Sequence, residues 1–258
     1  MTGWRAVRIL LAGLCLVAVR AAPADAGVVV HLSLGQFIFG PPDQDERNAP
    51  APPVARYVSD EGQTFILDRS TATPLLRFED SPEILALNPT PAARGDTIYR
   101  DDTGQPVLRL TKLGGLTVFF PGRPEGAPVA FDGLAQGLRL APMTPALLLQ
   151  RLIQASARAS RAARHLIVFD AQTQDAPAGS EAVFADAAFV ASQALVRMSG
   201  QQDGDKALGR LGRVLFMPGP KETVAASKGV LHITINVSQG LAGRPSSARI
   251  IEVAMKSR

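Results

Sequence analysis

The chain has 258 residues, of which 46% are hydrophobic and 19% are charged, and its formal net charge is +4. This composition is typical of one large globular domain or two small ones, and it excludes an intrinsically disordered chain, which would be far less apolar. The small net charge gives no global indication of nucleic-acid binding.

The N-terminal segment has the pattern of a secretory signal peptide. Two arginines precede an apolar run from 9 to 19, and Ala24-Asp25-Ala26 has the small-x-small pattern of a cleavage site. The apolar run is too short to span a bilayer stably. We predict that 1–26 is cleaved off, leaving a bacterial periplasmic or secreted protein without a transmembrane helix. The alternative is an uncleaved membrane anchor.

Cys15 is the only cysteine, and it lies within the predicted signal peptide. The mature chain would then have no disulfide, no thiolate nucleophile and no cysteine-ligated metal. We predict neither a cofactor nor a metal site.

Residues 27–53 are predicted to be a first strand followed by a tether. Val28, Val30 and Leu32 alternate with other residues as in a half-buried strand. Five prolines follow between Pro41 and Pro53. Because proline disfavours helix and lacks a backbone donor, this part is expected to be an extended linker.

Residues 54–142 are predicted to form an antiparallel β-meander built from a duplicated segment. The stretch that begins at Tyr57 matches the stretch that begins 42 positions later at Tyr99, with 7 identities in 27 aligned positions. Both contain an Asp-x-Gly-Gln turn, in which aspartate caps the turn and glycine takes positive φ. The alternative is two unrelated hairpins that look alike. We expect about six strands here, in a curled or partly closed sheet.

A Gly-Gly pair at 114–115 predicts a two-residue hairpin loop within this region. The corresponding register places Leu113 opposite Leu116 and Thr111 opposite Val118. Both faces of the hairpin are then partly apolar, so we expect it to be covered on both sides.

Three segments near this loop resemble a protein family. They read RGDTIYRDD at 94–102, GQPVLR at 104–109 and LGGLT at 113–117. They are similar to an uncharacterised alphaproteobacterial family known only as a domain of unknown function, and the likeness extends from about Val54 to the C-terminus. The resemblance implies a bacterial exported protein and supplies no activity and no site residues.

Residues 143–258 are predicted to form an α/β half with helices packed on an antiparallel sheet, which makes the whole chain α+β. Thr144 and Pro145 mark the start of a first helix, and Ser180 is expected to cap a second. Strands are expected at 165–169, 213–217, 229–237 and 250–255, with an exposed connection at 221–229. The sequence leaves open whether this half and the meander form one domain.

Both predicted helices have an apolar stripe that should face a core. The stripe of the first, which extends to about Arg164, consists of Leu148, Leu152, Ala155 and Ala159. The stripe of the second, which extends to about Met198, consists of Phe184, Ala188, Ala191, Leu195 and Met198.

Arginines line the first helix, and they are the candidate site residues. Arg158, Arg161 and Arg164 are spaced i, i+3, i+6, Arg151 lies one heptad before Arg158, and no acid interrupts the helix. One interpretation is structural, because cations near a helix C-terminus complement its dipole. The other is an anionic partner: lipid headgroups, lipopolysaccharide phosphates or an acidic protein surface.

Carboxylates and histidines give weaker indications. Asp60-Glu61 and Asp101-Asp102 lie at matched turn positions, where they are either solvated turn residues or hard-oxygen ligands for a divalent cation. The three histidines His31, His165 and His232 are far apart in sequence and form no local metal pair.

The sequence contains no Gly-x-Ser-x-Gly elbow, no His-Glu-x-x-His, no phosphate loop and no dinucleotide-binding glycine loop. It therefore favours an exported cell-envelope protein with a non-catalytic binding or structural role. One alternative is an envelope hydrolase whose acid and base are distant in sequence. Another is a subunit that pairs with a partner through a sheet edge, which Gly229–Val237 would supply if it lay at an edge.

Overall fold

Short strands joined by tight turns make up the first half of the described chain. A computed structural model describes residues 52–256, so the predicted signal peptide, the predicted first strand and nearly all of the proline-rich linker lie outside the described residues. Nine strands follow one another here, where about six were expected. They are β1 (Val54–Ser59), β2 (Thr64–Asp68), β3 (Leu75–Phe78), β4 (Leu85–Ala86), β5 (Asn88–Pro91), β6 (Thr97–Arg100), β7 (Pro106–Leu110), β8 (Leu116–Phe120) and β9 (Arg123–Leu134).

All nine strands belong to one antiparallel sheet in the order β4-β3-β2-β1-β9-β8-β7-β6-β5. The two edge strands, β4 and β5, are separated along the chain by Leu87 alone. Because consecutive Cα atoms are about 3.8 Å apart, the two edges must lie side by side. The sheet therefore curls round on itself, as expected. Strand β9, the last of the nine in the chain, lies in the middle between β1 and β8.

Strands 42 positions apart occupy equivalent places in this sheet. β2 and β7 have the same length, and β7 begins 42 positions after β2. The residue pair Thr117↔Pro128 between β8 and β9 likewise lies 42 positions after the pair Leu75↔Ala86 between β3 and β4. Gly62 and Gly104 both have positive φ, at 82° and 85°. This equivalence is an observation in favour of the duplication, which itself stays a prediction.

The predicted register of the β7–β8 hairpin is wrong. Leu110 pairs with Leu116 and Leu108 with Val118, because the loop contains more than the two glycines. The amide of Thr111 donates to the carbonyl of Gly115, so that 112–114 forms the bend. Leu113 is consequently exposed at the tip instead of lying opposite Leu116.

The interior of the curled sheet is filled by side chains that alternate along the strands. Aromatic rings are part of this core: Tyr57 stacks on Phe65, with ring centroids 5.6 Å apart. The other buried members of this cluster are Ala55, Leu67, Leu76, Leu87, Tyr99, Val107, Leu108, Val118 and Ala127. Leu87 at the closure of the sheet is fully buried, and its amide donates to the carbonyl of Pro74 at 2.8 Å.

The second half contains four α-helices, one 3₁₀ helix (Val237–Gly243) and four strands within residues 143–256. The α-helices and strands are α1 (Pro145–Ala163), β10 (Val168–Ala171), α2 (Glu181–Met198), α3 (Gly204–Leu208), β11 (Arg213–Pro218), β12 (Thr223–Ser227), β13 (Val230–Ile235) and α4 (Ser247–Lys256). Among the helices of residues 52–256, none combines the length and the apolar character needed to cross a membrane.

Both long helices lie where the sequence predicts them. Thr144 caps α1, since its hydroxyl accepts from the amide of Leu147 at 3.3 Å. Every residue of the two predicted apolar stripes is buried. The predicted side-chain cap at Ser180 is wrong, because its hydroxyl donates to the carbonyl of Pro177 and accepts no amide.

The second sheet has the order β10-β11-β13-β12 and is mixed. β10 and β13 both run parallel to β11, and only the β12–β13 pair is antiparallel, so the expectation of an antiparallel sheet fails in this detail while the α+β class is confirmed. The predicted connection 221–229 contains β12. β13 is therefore an interior strand, and the hypothesis that it offers an edge to a partner is wrong.

The expected strand at 250–255 is part of helix α4. Ile250 and Ala254, spaced i, i+4, are its buried apolar positions, and they join the core that α1 and α2 form on one face of the small sheet. Strand residues of that core include Phe169, Phe216 and Ile233. Helices cover this face because its alternate strand positions are apolar.

Candidate functional site

Helix α4 begins at two serines that contact carboxylates of the meander. Ser246 donates to Asp102 twice, from its amide at 2.7 Å and from its hydroxyl at 2.5 Å. The amide of Ser247 donates to Glu83 at 2.7 Å, and its hydroxyl donates to the other Glu83 oxygen. These carboxylates satisfy amides that have no partner within the helix and complement the positive end of its dipole. The meander thus supplies the N-terminal caps of α4.

Arg244 is a buried cation just before these serines. Its side chain is 2% exposed, and its Nε donates to Asp186 on α2. Its Nη2 donates to the carbonyl of Ile84 in the meander at 2.9 Å. A buried charge is tolerated only with a paired charge and satisfied donors, and Arg244 has both. It therefore connects α2 to the meander at a point just before α4.

A polar cleft of about 400 Å³ opens beside this junction. It lies at the carboxyl ends of the parallel strands β11 and β13, which is where ligands bind in open α/β sheets. Its polar lining consists of Thr73, Asn88, Asp101, Asp102, Lys221, Glu222, Asn236, Gln239, Arg244 and Ser246. Charges of both signs and three amides suit a small polar molecule, but Asp102 and Ser246 already bond to each other across the junction.

A second opening, which we call the junction groove, is larger and mostly apolar, with a volume of about 730 Å³. Its walls come from 71–75 of the meander, from the connection 138–142, from the start of α2 and from 238–242. Its floor includes Leu75, Leu138 and Leu241, which form a small core cluster with Ile84. Arg139 is the one charged residue that lines the groove within the described chain.

The four predicted site arginines divide into two kinds. Arg158 is held in place: it donates to the Ser192 hydroxyl at 3.0 Å and lies over the ring of Phe189, with 5.4 Å to the centroid. Arg151 and Arg161 are exposed on α1, and Arg164 ends the helix with a left-handed φ of 60°. None of the four forms an ion pair with an acid in 52–256.

Exposed aliphatic side chains lie on the same helix. Leu149 and Ile153, spaced i, i+4, are 59% and 61% exposed. They continue the line of Ser156 and Ser160, which lie seven residues further on and bond to Ile167 just before β10. Arg158 lies on the opposite flank, next to α2, and Arg151 lies on the same flank one heptad earlier. α1 therefore presents an apolar flank and a basic flank on either side of its outward face.

The acidic turn residues do not come together as a cation site. Glu61 forms an ion pair with Arg123. Oδ1 of Asp101 accepts three hydrogen bonds within its own turn, from the amides of Thr103 and Gln105 and from the Thr103 hydroxyl, at 2.7–2.9 Å. Asp102 contacts Ser246. Within residues 52–256 no group of three histidine, cysteine, aspartate or glutamate side chains is arranged to hold a metal ion.

Of the histidines, His165 has hydrogen-bond contacts within the described part of the chain. His165 places Nε2 at 2.7 Å from the carbonyl oxygen of Leu211 and Nδ1 at 2.9 Å from that of Ala163. His232 lies on the interior strand β13, and His31 is outside the described residues.

Two aspartates of the meander have altered acidity. Burial by itself raises the pKa of Asp68, but hydrogen bonds from Ser70 and Leu138 and the charge of Arg139 outweigh burial and lower that pKa. The hydrogen bond from Arg109 lowers the pKa of Asp96, helped by the amide of Lys112. Both carboxylates are therefore held ionised by fixed donors, which is a structural role.

Sequence reasoning missed the residues that join the two halves, Glu83, Asp102, Asp186 and Arg244. The 42-residue offset of the repeat pairs Asp102 with Asp60 and Glu83 with Glu125. Nothing local to either residue indicates which copy contacts a helix 144 or 164 positions away.

The fold and these contacts define an α+β protein in which a curled antiparallel meander caps the C-terminal helix of a half built from helices and a small mixed sheet. Residues 33–254 match the family described as Domain of unknown function (DUF4908), and the chain belongs to this family. This confirms the family resemblance, while bacterial origin and export stay predictions. No curated protein and no solved structure matches the chain.

Proposed function

We propose that this protein is a non-catalytic binding module of the bacterial cell envelope that attaches to an anionic lipid surface through α1. The observation that carries the proposal is the surface of α1, where exposed Leu149 and Ile153 accompany Arg151 and Arg161, which have no acidic partner in 52–256. Aliphatic groups at the boundary of the acyl region and arginines at the phosphates are the two contacts of a helix lying at a membrane surface.

The envelope location rests on the N-terminal pattern. The two arginines, the apolar run 9–19 and the Ala24-Asp25-Ala26 site support export and cleavage before Gly27. N-terminal sequencing of the protein purified from the periplasmic fraction tests this part: a first residue at Gly27 is expected, and an intact Met1 in the cytoplasmic fraction would reject it.

The lipid contact is tested by flotation of the chain from Gly27 onward with vesicles. This form is used because the apolar run 9–19 would itself bind lipid. We expect co-flotation with phosphatidylglycerol-containing vesicles and none with pure phosphatidylcholine, with attachment decreasing as salt increases, because exposed charges are screened.

Matched variants separate the helix surface from general charge. Arg151→Glu with Arg161→Glu should abolish flotation, as should Leu149→Ser with Ile153→Ser, while the melting temperature stays close to wild type. Arg210→Glu, which changes an exposed arginine away from α1, should weaken flotation far less than the α1 pair. Loss of flotation by Arg210→Glu to the same degree, or attachment that ignores lipid charge, would reject the proposed surface.

A further inference from the structure

We propose that the junction groove binds a single-chain amphiphile with a carboxylate head, such as a medium-chain fatty acid. This ligand site is separate from the α1 surface, and it rests on the shape, lining and charge of the groove alone.

The groove has the size and the walls of a binding site for an apolar chain. Its volume of about 730 Å³ falls within the range of about 300–1,000 Å³ in which proteins bury small ligands. Leu138 and Leu241 on its floor are buried, whereas Ala72 and Ala141 at its rim are exposed. An alkyl chain laid along these walls would leave water on burial, which is its main source of affinity.

The charge of the groove selects an anionic head. Arg139 lines it, and among residues 52–256 it forms neither a hydrogen bond nor an ion pair. Its charge acts on Asp68, whose oxygens already accept from Ser70 and from the amide of Leu138. The guanidinium donors of Arg139 are therefore available, and arginine binds a carboxylate in bidentate fashion. No acid lines the groove in the described chain, so a cationic head would be repelled.

The chain and the head fit together because both groups line one groove. A carboxylate at Arg139 leaves its alkyl chain next to Leu138 and Leu140, which flank the arginine in sequence and lie on the same walls. This arrangement of one cation beside an apolar wall distinguishes an amphiphile from the small polar molecules that suit the neighbouring polar cleft.

Calorimetric titration of the chain from Gly27 onward, which contains the whole family match, tests the proposal. Dodecanoate, used below its critical micelle concentration, should bind one to one. Affinity should increase about fourfold for each added methylene from octanoate upward, until the groove is full. Dodecyltrimethylammonium should not bind measurably. Absence of dodecanoate binding, or equal binding of the cation, would overturn the proposal.

Variants assign the two ends of the ligand. Arg139→Gln should weaken dodecanoate binding about tenfold, as expected for the loss of one charged hydrogen-bonding group, and should leave dodecanol binding unchanged. The matched control Arg210→Gln should change neither. Equal dodecanoate affinity in wild type and Arg139→Gln would reject the carboxylate contact.

Filling the groove from its rim tests where the chain lies. Ala141→Trp should abolish binding of dodecanoate and dodecanol, and it should fold because the position is exposed. If its melting temperature falls, Ala72→Trp offers a second exposed rim position for the same test. Undiminished binding in the folded rim variant would place the ligand elsewhere. Leu149→Ser with Ile153→Ser should leave dodecanoate binding intact, which keeps this result separate from the vesicle experiment.

Discussion

The two matched hairpin tips of the meander have the same local geometry and different neighbours. In the β1–β2 tip, the amide of Ser59 donates to the carbonyl of Gln63 at 2.9 Å, and in the β6–β7 tip the equivalent bond from Asp101 to Gln105 is 3.0 Å. Asp60 of the first tip is exposed, whereas its counterpart Asp102 caps helix α4. The geometry of the turn is thus determined by local sequence, but the contacts of its aspartate depend on which element packs against the turn.

The same contrast holds at the next matched pair, with the copies exchanged. Glu83 of the first copy contacts Ser247 and Arg197, while Glu125 of the second copy forms only an exposed ion pair with Arg123. Each copy therefore contributes one acid to the junction. Substitutions at matched positions of the two copies should therefore change the stability by different amounts even though the backbones agree, and four experiments test this expectation.

The largest difference is expected at Asp68 and its counterpart Leu110. Asp68 is fully buried and accepts three hydrogen bonds, two of them from backbone amides. Asp68→Ala would leave those amides without an acceptor and should lower the free energy of unfolding by about 3 kcal/mol or more. Leu110→Ala, at a partly exposed position, should cost about 1 kcal/mol. Urea unfolding of both variants checks this, and equal losses would remove the asymmetry between the copies.

The hairpin tips should differ by a smaller amount. Asp102→Ala removes both acceptors of Ser246 and should cost about 2 kcal/mol in urea unfolding, since hydrogen bonds to a charged group contribute about 1.5–3 kcal/mol. Asp60→Ala changes an exposed turn residue and should stay within about 0.5 kcal/mol of wild type. A loss at Asp60 as large as the loss at Asp102 would contradict the assignment of the α4 cap to the second tip.

The glutamates should show the same order with a weaker effect. Glu83→Gln keeps the shape and one acceptor oxygen but loses the charge at the start of α4, so we expect a loss of about 1 kcal/mol. Glu125→Gln breaks only a surface pair and should change the stability by about 0–0.5 kcal/mol. The shift in melting temperature of each variant tests this order. In the double variant Glu83→Gln with Glu125→Gln, the two shifts should add.

The smallest effect is the dependence of stability on pH. Since the folded-state pKa of Asp68 is lowered from 3.8, its contribution is fully present above the unfolded value and disappears as the pH falls through the lower folded value. Wild type and Asp68→Asn should therefore differ at pH 7 and converge on acidification towards pH 2. A gap in urea midpoint that widens on acidification would contradict the sign of the shift.

How far the sequence predicts this fold depends on whether the deciding contacts are local. Helices α1 and α2 were predicted with their buried stripes because Thr144, Pro145 and the spacing of the apolar residues are local signals. The prediction of α4 failed because Ile250, Ile251 and Val253 are β-branched, which favours strands. The residues that cap and stabilise α4 as a helix are Asp102 and Glu83, which lie far away in the chain.

The register of the β7–β8 hairpin failed for a different physical reason. A Gly-Gly pair predicts a two-residue loop, but only Gly114 takes positive φ, at 86°. The Thr111 hydroxyl accepts the amide of Gly115 at 2.9 Å and stabilises a longer loop. Of the candidate site, the arginines of α1 were found from their spacing. The junction groove could not be found, because its walls come from four separate stretches of the chain.

The position of β9 has a consequence for synthesis. A ribosome releases β1–β4 and β5–β8 before β9, so the nascent chain first contains two short meanders that no strand yet joins. β9 forms a hairpin with β8, from which only two residues separate it, but its pairing with β1 spans a long sequence separation, and such non-local pairing is slow. Until that step, both flanking edges are open to pairing with other chains. We expect the interval before β9 emerges to be the period in which this protein most needs a chaperone.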